Sequence, residues 1–150
     1  MPQSFCQLHA HIVFSTKNRE PYLGESIRPQ VHAYMEGILN QLGCTGILIG
    51  GFVDHVHCLC LLNKKEAPVK IVQMLKQDSS KFIKTLDDRL ATFGWQNGYG
   101  LFSVSPTHLD SVRKYIEGQV EHHRVKTFQE EYKEFLKRYD VPFDERYVWD

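Results

Sequence analysis

Hydrophobic and polar positions along the chain predict four strands and several helices. The strand-like segments are short apolar or alternating runs at residues 8–15, 44–52, 55–62 and 99–105. The helix-like segments repeat apolar residues every three or four positions, at residues 25–42, 69–86 and 106–123, with a last short helix at 128–139. Thr127 and Glu130 form a candidate capping box for that last helix.

Up to residue 105 the predicted elements follow the order strand, helix, strand, strand, helix, strand. That order is typical of the ferredoxin-like split βαβ arrangement, an α+β fold with an antiparallel sheet. The sequence therefore predicts one ferredoxin-like domain over residues 1–150, extended by C-terminal helices. Because this fold hosts unrelated functions, function has to be inferred from particular residues.

The charge of the chain is balanced overall but unevenly distributed. Its 150 residues include 18 Lys and Arg against 18 Asp and Glu, which argues against a strongly basic nucleic-acid binder recognisable from total charge. Residues 64–84 nevertheless carry six lysines against Glu66 and Asp78, a local charge of +4. The lysine-rich second helix is thus a candidate phosphate-binding surface, with plain solubility as the alternative reading.

Apolar runs and cysteines limit the compartment and the type of site. No apolar run approaches the roughly 18 residues of a membrane span, and the first residues lack a signal-peptide pattern, so we expect a cytoplasmic protein with no membrane partner. The four cysteines include no C-x-x-C pair, which argues against a disulfide framework or a cysteine zinc site. Cys58 and Cys60 lie in an apolar run and are predicted to be core residues.

Two pairs of residues are candidates for chemistry. His55 and His57 alternate onto one face of the third strand, where they can bind one metal ion, although half-exposed polar residues show the same spacing. Tyr115 and Gln119 are four residues apart and share one face of a predicted helix, although a boundary residue and its solvated neighbour show the same spacing. A glutamine carbonyl can complete a metal site, and a tyrosine hydroxyl can act as a covalent nucleophile.

Several segments, taken in order, resemble a known family. They are HIVFSTKNREPYL, GGFVDHVHCLCLL, LKQDSSKFIK, WQNGYGLFSVS, and VRKYIEGQVEHH followed by TFQEEYKEFL. With this order and spacing the chain resembles the single-tyrosine HUH transposases of small bacterial insertion sequences, including the repeat-associated tyrosine transposases. The resemblance covers nearly the whole chain and is more specific than any one segment.

The resemblance implies a role for each candidate residue. His55 and His57 match the metal-binding histidines, Gln119 matches the third ligand, and Tyr115 matches the nucleophile. The implied activity is nicking and strand transfer of single-stranded DNA through a covalent 5′-phosphotyrosine, with Mg²⁺ or Mn²⁺ as cofactor. Two imidazoles and a carboxamide are neutral, so we expect modest metal affinity without DNA. The implied partners are a DNA hairpin and a second copy of the chain, in whose site the tyrosine could act.

The candidate DNA contacts lie on the loop after the first strand and on the second helix. They are Lys17, Arg19, Lys76, Ser79, Ser80, Lys81 and Lys84. Because lysine and arginine neutralise phosphates and serine hydroxyls donate to phosphate oxygens, this set predicts a surface that reads the backbone and shape of DNA.

Two further questions stay open on the sequence alone. His9 and His11 share one face of the first strand, where they either border the metal site or pack as polar core residues. The chain could also be a hairpin-binding protein that no longer cuts DNA. A third reading, a small metal-dependent phosphoesterase, needs a carboxylate base, for which Asp54 and Glu121 are the candidates.

Overall fold

The chain folds around an antiparallel sheet. The computed structural model describes residues 2–150, and its four strands have the order β2, β3, β1, β4. The strands are β1 (His9–Ser15), β2 (Thr45–Gly51), β3 (His55–Leu61) and β4 (Gly100–Val104). β1 pairs with both β3 and β4, and β2 pairs with β3, all antiparallel. The predicted ferredoxin-like arrangement is confirmed.

Five α-helices accompany the sheet within the described residues. They are α1 (Arg28–Gln41), α2 (Pro68–Lys84), α3 (Leu109–Glu117), α4 (Gln119–His122) and α5 (Phe128–Arg138). The prediction of one continuous helix over 106–123 was wrong. Residues Pro106–His108 form a 3-10 turn, and Gly118, with ψ of 13°, separates α3 from α4. Glycine has low helix propensity, which favours a break at this position.

The sheet has a helix layer on each face. Ile12 and Phe14 of β1 pack with α1 and α2 in the larger core, which also contains Cys58 and Cys60 as predicted. Val13 points to the opposite face and packs with Phe128 and other residues of α5. Because neighbouring strand residues point to opposite faces, His11, His55 and His57 lie on the same face as α3 and α5.

A close helix-to-strand contact fixes the height of α3 above the sheet. A Cβ atom at Gly50 of β2 would lie 2.6 Å from Ile116 Cγ2 and 2.9 Å from the Ile116 carbonyl oxygen. Gly50 is also the cross-strand partner of His57. The missing side chain therefore lets α3, and with it Tyr115, pack directly over the histidine strand.

The start of α5 is fixed by the predicted capping residue. The Glu130 backbone N–H donates to Thr127 Oγ1 at 3.2 Å, as expected for an N-cap threonine. Glu130 is exposed, whereas the next residue, Glu131, faces the sheet with Phe128 and Phe135 and is buried. No helix within residues 2–150 is both long and apolar enough to cross a membrane.

Candidate active site

Two fully buried histidines of β3 form the base of the candidate site. The rings of His55 and His57 lie 5.1 Å apart, centroid to centroid, on one face of the strand. His55 Nε2 lies 2.9 Å from Gln119 Oε1, and His57 Nε2 lies 2.9 Å from Glu131 Oε1. The two Nε2 atoms therefore point to neighbouring oxygens from α4 and α5.

The other ring nitrogen of each histidine is held by a hydrogen bond. His55 Nδ1 lies 2.8 Å from Asp54 Oδ1, and His57 Nδ1 lies 2.7 Å from His11 Nε2. His11 thus borders the site and is also a buried core residue, so both readings of its position are correct. Burial is the main cause of the lowered pKa values of His57 and His11, which favours the neutral imidazole required of a metal ligand.

Tyr115 and Gln119 come to the same place from the helix layer, as their spacing predicted. Gln119 is buried and its Oε1 contacts His55, while the Tyr115 ring lies 5.8 Å from the ring of His57. The Tyr115 hydroxyl donates to Glu131 Oε2 and lies 3.5 Å from His122 Nε2. The structure therefore brings together all four residues singled out in the sequence, within one chain.

Glu131 lies at the centre of these contacts. Besides His57 and Tyr115, it accepts a hydrogen bond from Gln119 Nε2 at 3.2 Å. Burial acts to raise the pKa of its carboxyl, but hydrogen bonds with His123 and His57 outweigh burial and hold the pKa well below the usual range. Burial, and then the Glu131 charge, raise the pKa of Tyr115. The carboxyl is therefore ionised, and the phenol keeps its proton.

The donor atoms of this cluster suit a divalent cation. His55, His57, His123 and Glu131 each offer one ligand atom, and these atoms lie within 4.8 Å of one another. Imidazole nitrogens with a carboxylate are a common ligand set for divalent first-row metals. The residues present fit a metal ion, and an ionised Glu131 beside the histidines would add a negative charge to the neutral ligand set expected from the sequence.

A cleft leads from solvent to the tyrosine. It has a volume of about 220 Å³ and is lined by Tyr115, His122, Lys126, Glu131, Glu134, Phe135 and Arg138. A second cleft of about 250 Å³ also contains Tyr115, Phe135 and Arg138. The tyrosine thus stands between two openings that share one arginine.

Comparison with known proteins agrees with this arrangement. A family model described as "Transposase IS200 like" matches residues 4–119. The chain belongs to the IS200-like transposase family. A comparison with curated proteins found no match.

Solved structures show the fold of this IS200-like transposase in other proteins. A candidate transposase from Deinococcus radiodurans R1 superposes with a TM-score of 0.62 at 20% identity, covering 79% of this chain and 98% of that one. A REP-associated tyrosine transposase bound to a REP hairpin superposes with a TM-score of 0.54 at 11% identity, covering 81% of this chain and 73% of that one. At these identities the likeness concerns the fold.

Two of the predicted DNA contacts of the transposase have internal partners instead. Ser79 is buried, and its Oγ accepts a hydrogen bond from Trp95 Nε1 at 2.9 Å. Lys76 Nζ donates to the carbonyl oxygens of Gln96, Asn97 and Gly98 at 2.7, 3.1 and 2.5 Å. In this structure neither side chain is free to bind phosphate, so the predicted surface has to be corrected.

The remaining candidates lie on α2 and in the segment after β1. Lys81 and Lys84 are exposed, and Ser80 is half-buried, on α2, which packs on the opposite face of the sheet. Lys17 is exposed after β1, while the guanidinium of Arg19 lies 5.7 Å from the ring centre of Trp149. Any contact that the α2 residues make with DNA would therefore lie on the opposite side of the sheet from the candidate catalytic cleft.

Sequence reasoning missed the contribution of the C-terminal helix to the site. Glu131 was not singled out, although it lies three residues after Phe128 and four before Phe135, which places it on the apolar face of α5. Lys126 and Arg138 line the cleft and were not among the predicted DNA contacts. A charged residue on an otherwise apolar helix face was the available signal.

Proposed function

We propose that the chain is a metal-dependent transposase that nicks and rejoins single-stranded DNA through Tyr115. The observation that carries this proposal is the position of the tyrosine hydroxyl, beside the histidine cluster and on the wall of an open cleft. Membership of the IS200-like transposase family supports it.

The proposed reaction begins with attack of Tyr115 Oη on the scissile phosphorus. A bond forms between the tyrosine oxygen and phosphorus while the bond to the 3′-oxygen breaks, which leaves a 5′-phosphotyrosine and a 3′-hydroxyl. Glu131 Oε2, already hydrogen-bonded to the tyrosine hydroxyl, orients Oη for this attack, and the phenol proton passes to solvent as the new bond forms. The departing 3′-oxygen takes up a proton from solvent.

His55, His57 and Gln119 would hold a divalent cation, Mg²⁺ or Mn²⁺, as the sequence resemblance implies. When bound, such a cation supplies positive charge to a non-bridging phosphate oxygen. The protein's own contribution is to keep the tyrosine beside this position and to hold each imidazole in place through Asp54 and His11.

The proposed second half of the reaction is strand transfer. A 3′-hydroxyl from another DNA end attacks the phosphotyrosine, restores a phosphodiester bond and returns the proton to the tyrosine. Because the covalent bond conserves the free energy of the cleaved phosphodiester, no nucleotide cofactor is needed.

The proposed substrate is a structured single strand such as a DNA hairpin. One structural neighbour, a REP-associated tyrosine transposase, is bound to a REP hairpin. Lys126 and Arg138 line the cleft beside Tyr115 and offer positive charge to the phosphates near the cut. Lys81, Lys84 and Lys17 remain candidates for contacts with more distant phosphates. We also propose a homodimer, as the family resemblance implies.

A labelled hairpin substrate tests this function. With Mn²⁺ and a single-stranded flank, a 3′-labelled substrate should give a labelled covalent protein adduct, and a 5′-labelled one should give a free shortened strand. Tyr115→Phe should abolish the adduct. Tyr147→Phe, which changes an exposed tyrosine, is the matched control and should behave as the unaltered protein. An adduct that survives Tyr115→Phe would refute the proposed nucleophile.

The same assay separates the two other functions. Hairpin binding without any adduct, in either Mg²⁺ or Mn²⁺, would identify a protein that binds but does not cut. Glu131, rather than Asp54 or Glu121, supplies the buried carboxylate that a small phosphoesterase needs. Metal-dependent hydrolysis of a simple phosphate ester that persists in Tyr115→Phe would favour that enzyme.

A further inference from the structure

We propose that Glu131 and His123 are ligands of the same metal ion as His55 and His57, and that the Glu131 carboxylate links this ion to the tyrosine nucleophile. This inference rests on the proposed metal-dependent function and assigns two ligands to it. The family match ends at residue 119, so both residues lie beyond the part of the chain that it covers.

His123 is oriented like the two histidines of β3. Its Nδ1 donates to the carbonyl oxygen of Lys126 at 2.6 Å, so Nε2 is the nitrogen that faces the other donor atoms of the cluster. This Nε2 lies 2.9 Å from Gln119 Oε1 and 3.4 Å from Glu131 Oε2. The ring also stacks on Phe52, at 5.8 Å between centroids. Such a fixed outer nitrogen is characteristic of metal-binding histidines.

The two oxygens of Glu131 face different parts of the site. Oε1 lies 2.9 Å from His57 Nε2 and 3.6 Å from His55 Nε2. Oε2 accepts from the Tyr115 hydroxyl and lies 3.1 Å from His122 Nε2. One carboxylate can therefore bind a cation through Oε1 while it orients the nucleophile through Oε2.

The spacing of the donor atoms is that of ligands around one ion. Neighbouring ligands of an octahedral ion, at metal–donor distances of about 2.1 Å, are about 3.0 Å apart. The separations from Gln119 Oε1 to His55 Nε2 and to His123 Nε2 are both 2.9 Å, as is that from Glu131 Oε1 to His57 Nε2. The side chains are thus already close to ligand geometry.

A carboxylate changes the expected behaviour of the site. Three imidazoles and a carboxamide are neutral, whereas Glu131 adds one negative charge in a buried position. Its attraction for a cation is strong because burial lowers the local dielectric constant. The site should therefore bind a divalent ion before DNA arrives, instead of depending on the DNA phosphate for affinity.

Calorimetric titration with Mn²⁺, in the absence of DNA, tests the assignment. The EDTA-treated full chain should bind one Mn²⁺ ion, and Glu131→Gln should weaken this binding by at least about tenfold, the loss typical of supporting residues around a metal. Glu130→Gln makes the same chemical change at the adjacent exposed position and should bind as the unaltered protein. His123→Gln should also weaken Mn²⁺ binding. This second variant keeps the ligand assignment testable if Glu131→Gln fails to fold.

The positioning role of Glu131 needs a separate measurement. At saturating Mn²⁺ and saturating hairpin, adduct formation in Glu131→Gln should be slower by roughly tenfold to hundredfold, because Tyr115 is no longer oriented. The dissociation constant for the hairpin should not change. Loss of hairpin affinity with a normal rate at saturation would instead indicate a general structural role and refute this part.

The two proposals can fail independently. Unchanged Mn²⁺ binding in Glu131→Gln and His123→Gln, or no Mn²⁺ binding by the unaltered protein without DNA, would overturn the ligand assignment. If Glu131→Gln and His123→Gln lose Mn²⁺ binding, but neither they nor the unaltered protein forms a DNA adduct, the ligand assignment stands and the proposed nicking function fails.

Discussion

Gly50→Ala should slow the chemistry without changing any residue of the site. The added methyl group would lie 2.6 Å from Ile116 Cγ2 and 2.9 Å from the Ile116 carbonyl oxygen. Ordinary van der Waals contacts begin at 3.4 Å, so α3 has to recede from β2 by about half to four-fifths of an ångström. Because Tyr115 immediately precedes Ile116, its hydroxyl would move away from Glu131 and the histidines.

The size of this movement sets the expected loss of rate. A misplacement of about 1 Å can cost roughly a hundredfold in rate, so a smaller movement should slow adduct formation by roughly tenfold to a hundredfold. Forcing an extra methyl group into a packed contact should also lower the free energy of unfolding by about 1–3 kcal/mol. Both effects come from one contact between β2 and α3.

Single-turnover adduct formation at saturating hairpin and Mn²⁺ measures the rate, and urea denaturation measures the stability. Gly37→Ala is the matched control, because that glycine lies within α1 with no atom near the new methyl group. It should leave the rate unchanged and raise the unfolding free energy by about 0.5–1 kcal/mol. A wild-type rate in Gly50→Ala would show that this contact does not position Tyr115.

Two other variants test the layer around α1 and α2. Lys76→Met should lower the unfolding free energy in urea denaturation by about 1–3 kcal/mol, because three carbonyl oxygens lose their donor. Lys81→Met, an exposed change on the same helix, is the control and should have little effect. Burial, with Arg28 and His55, lowers the pKa of His32 to about 4, so the folded protein binds fewer protons than the unfolded chain between pH 6.5 and about 4. Stability should fall as the pH decreases through this window, by about 3 kcal/mol from His32 alone. In His32→Leu that share of the pH dependence should be lost, and an unchanged profile would contradict the assignment.

The hydrophobic pattern of the sequence was sufficient to predict the fold and to pair His55 with His57, but not to place Tyr115 and Gln119 beside them. Period-two and period-3.6 patterns located the four strands and the main helices, because each element has one face on a core. The pairing of His55 and His57 on one face followed from the strand period alone. The placement of Tyr115 and Gln119 beside them depended on the resemblance, since helix spacing does not specify which strand a helix covers.

The errors have a common physical origin. Ser79 was predicted from its residue type to contact DNA, although Leu75 and Ile83 lie four residues to either side and put it on the core face of α2. Its hydroxyl is satisfied by Trp95, which the sequence does not reveal. Glu131 was missed for the same reason, because a buried polar group depends on partners that are distant in sequence.

The alternation of residues along β3 also affects which metal ion the proposed site would favour. His55 and His57 face the site, while Val56 and Cys58 face the core between α1, α2 and the sheet. A pairing shift of one residue would put a valine and a thiol in place of the two imidazoles. Such a chain would still offer an apolar strand to the sheet, but thiolates favour soft ions such as Cu(I) over Mg²⁺. We therefore expect correct strand pairing to determine the metal preference of the proposed site.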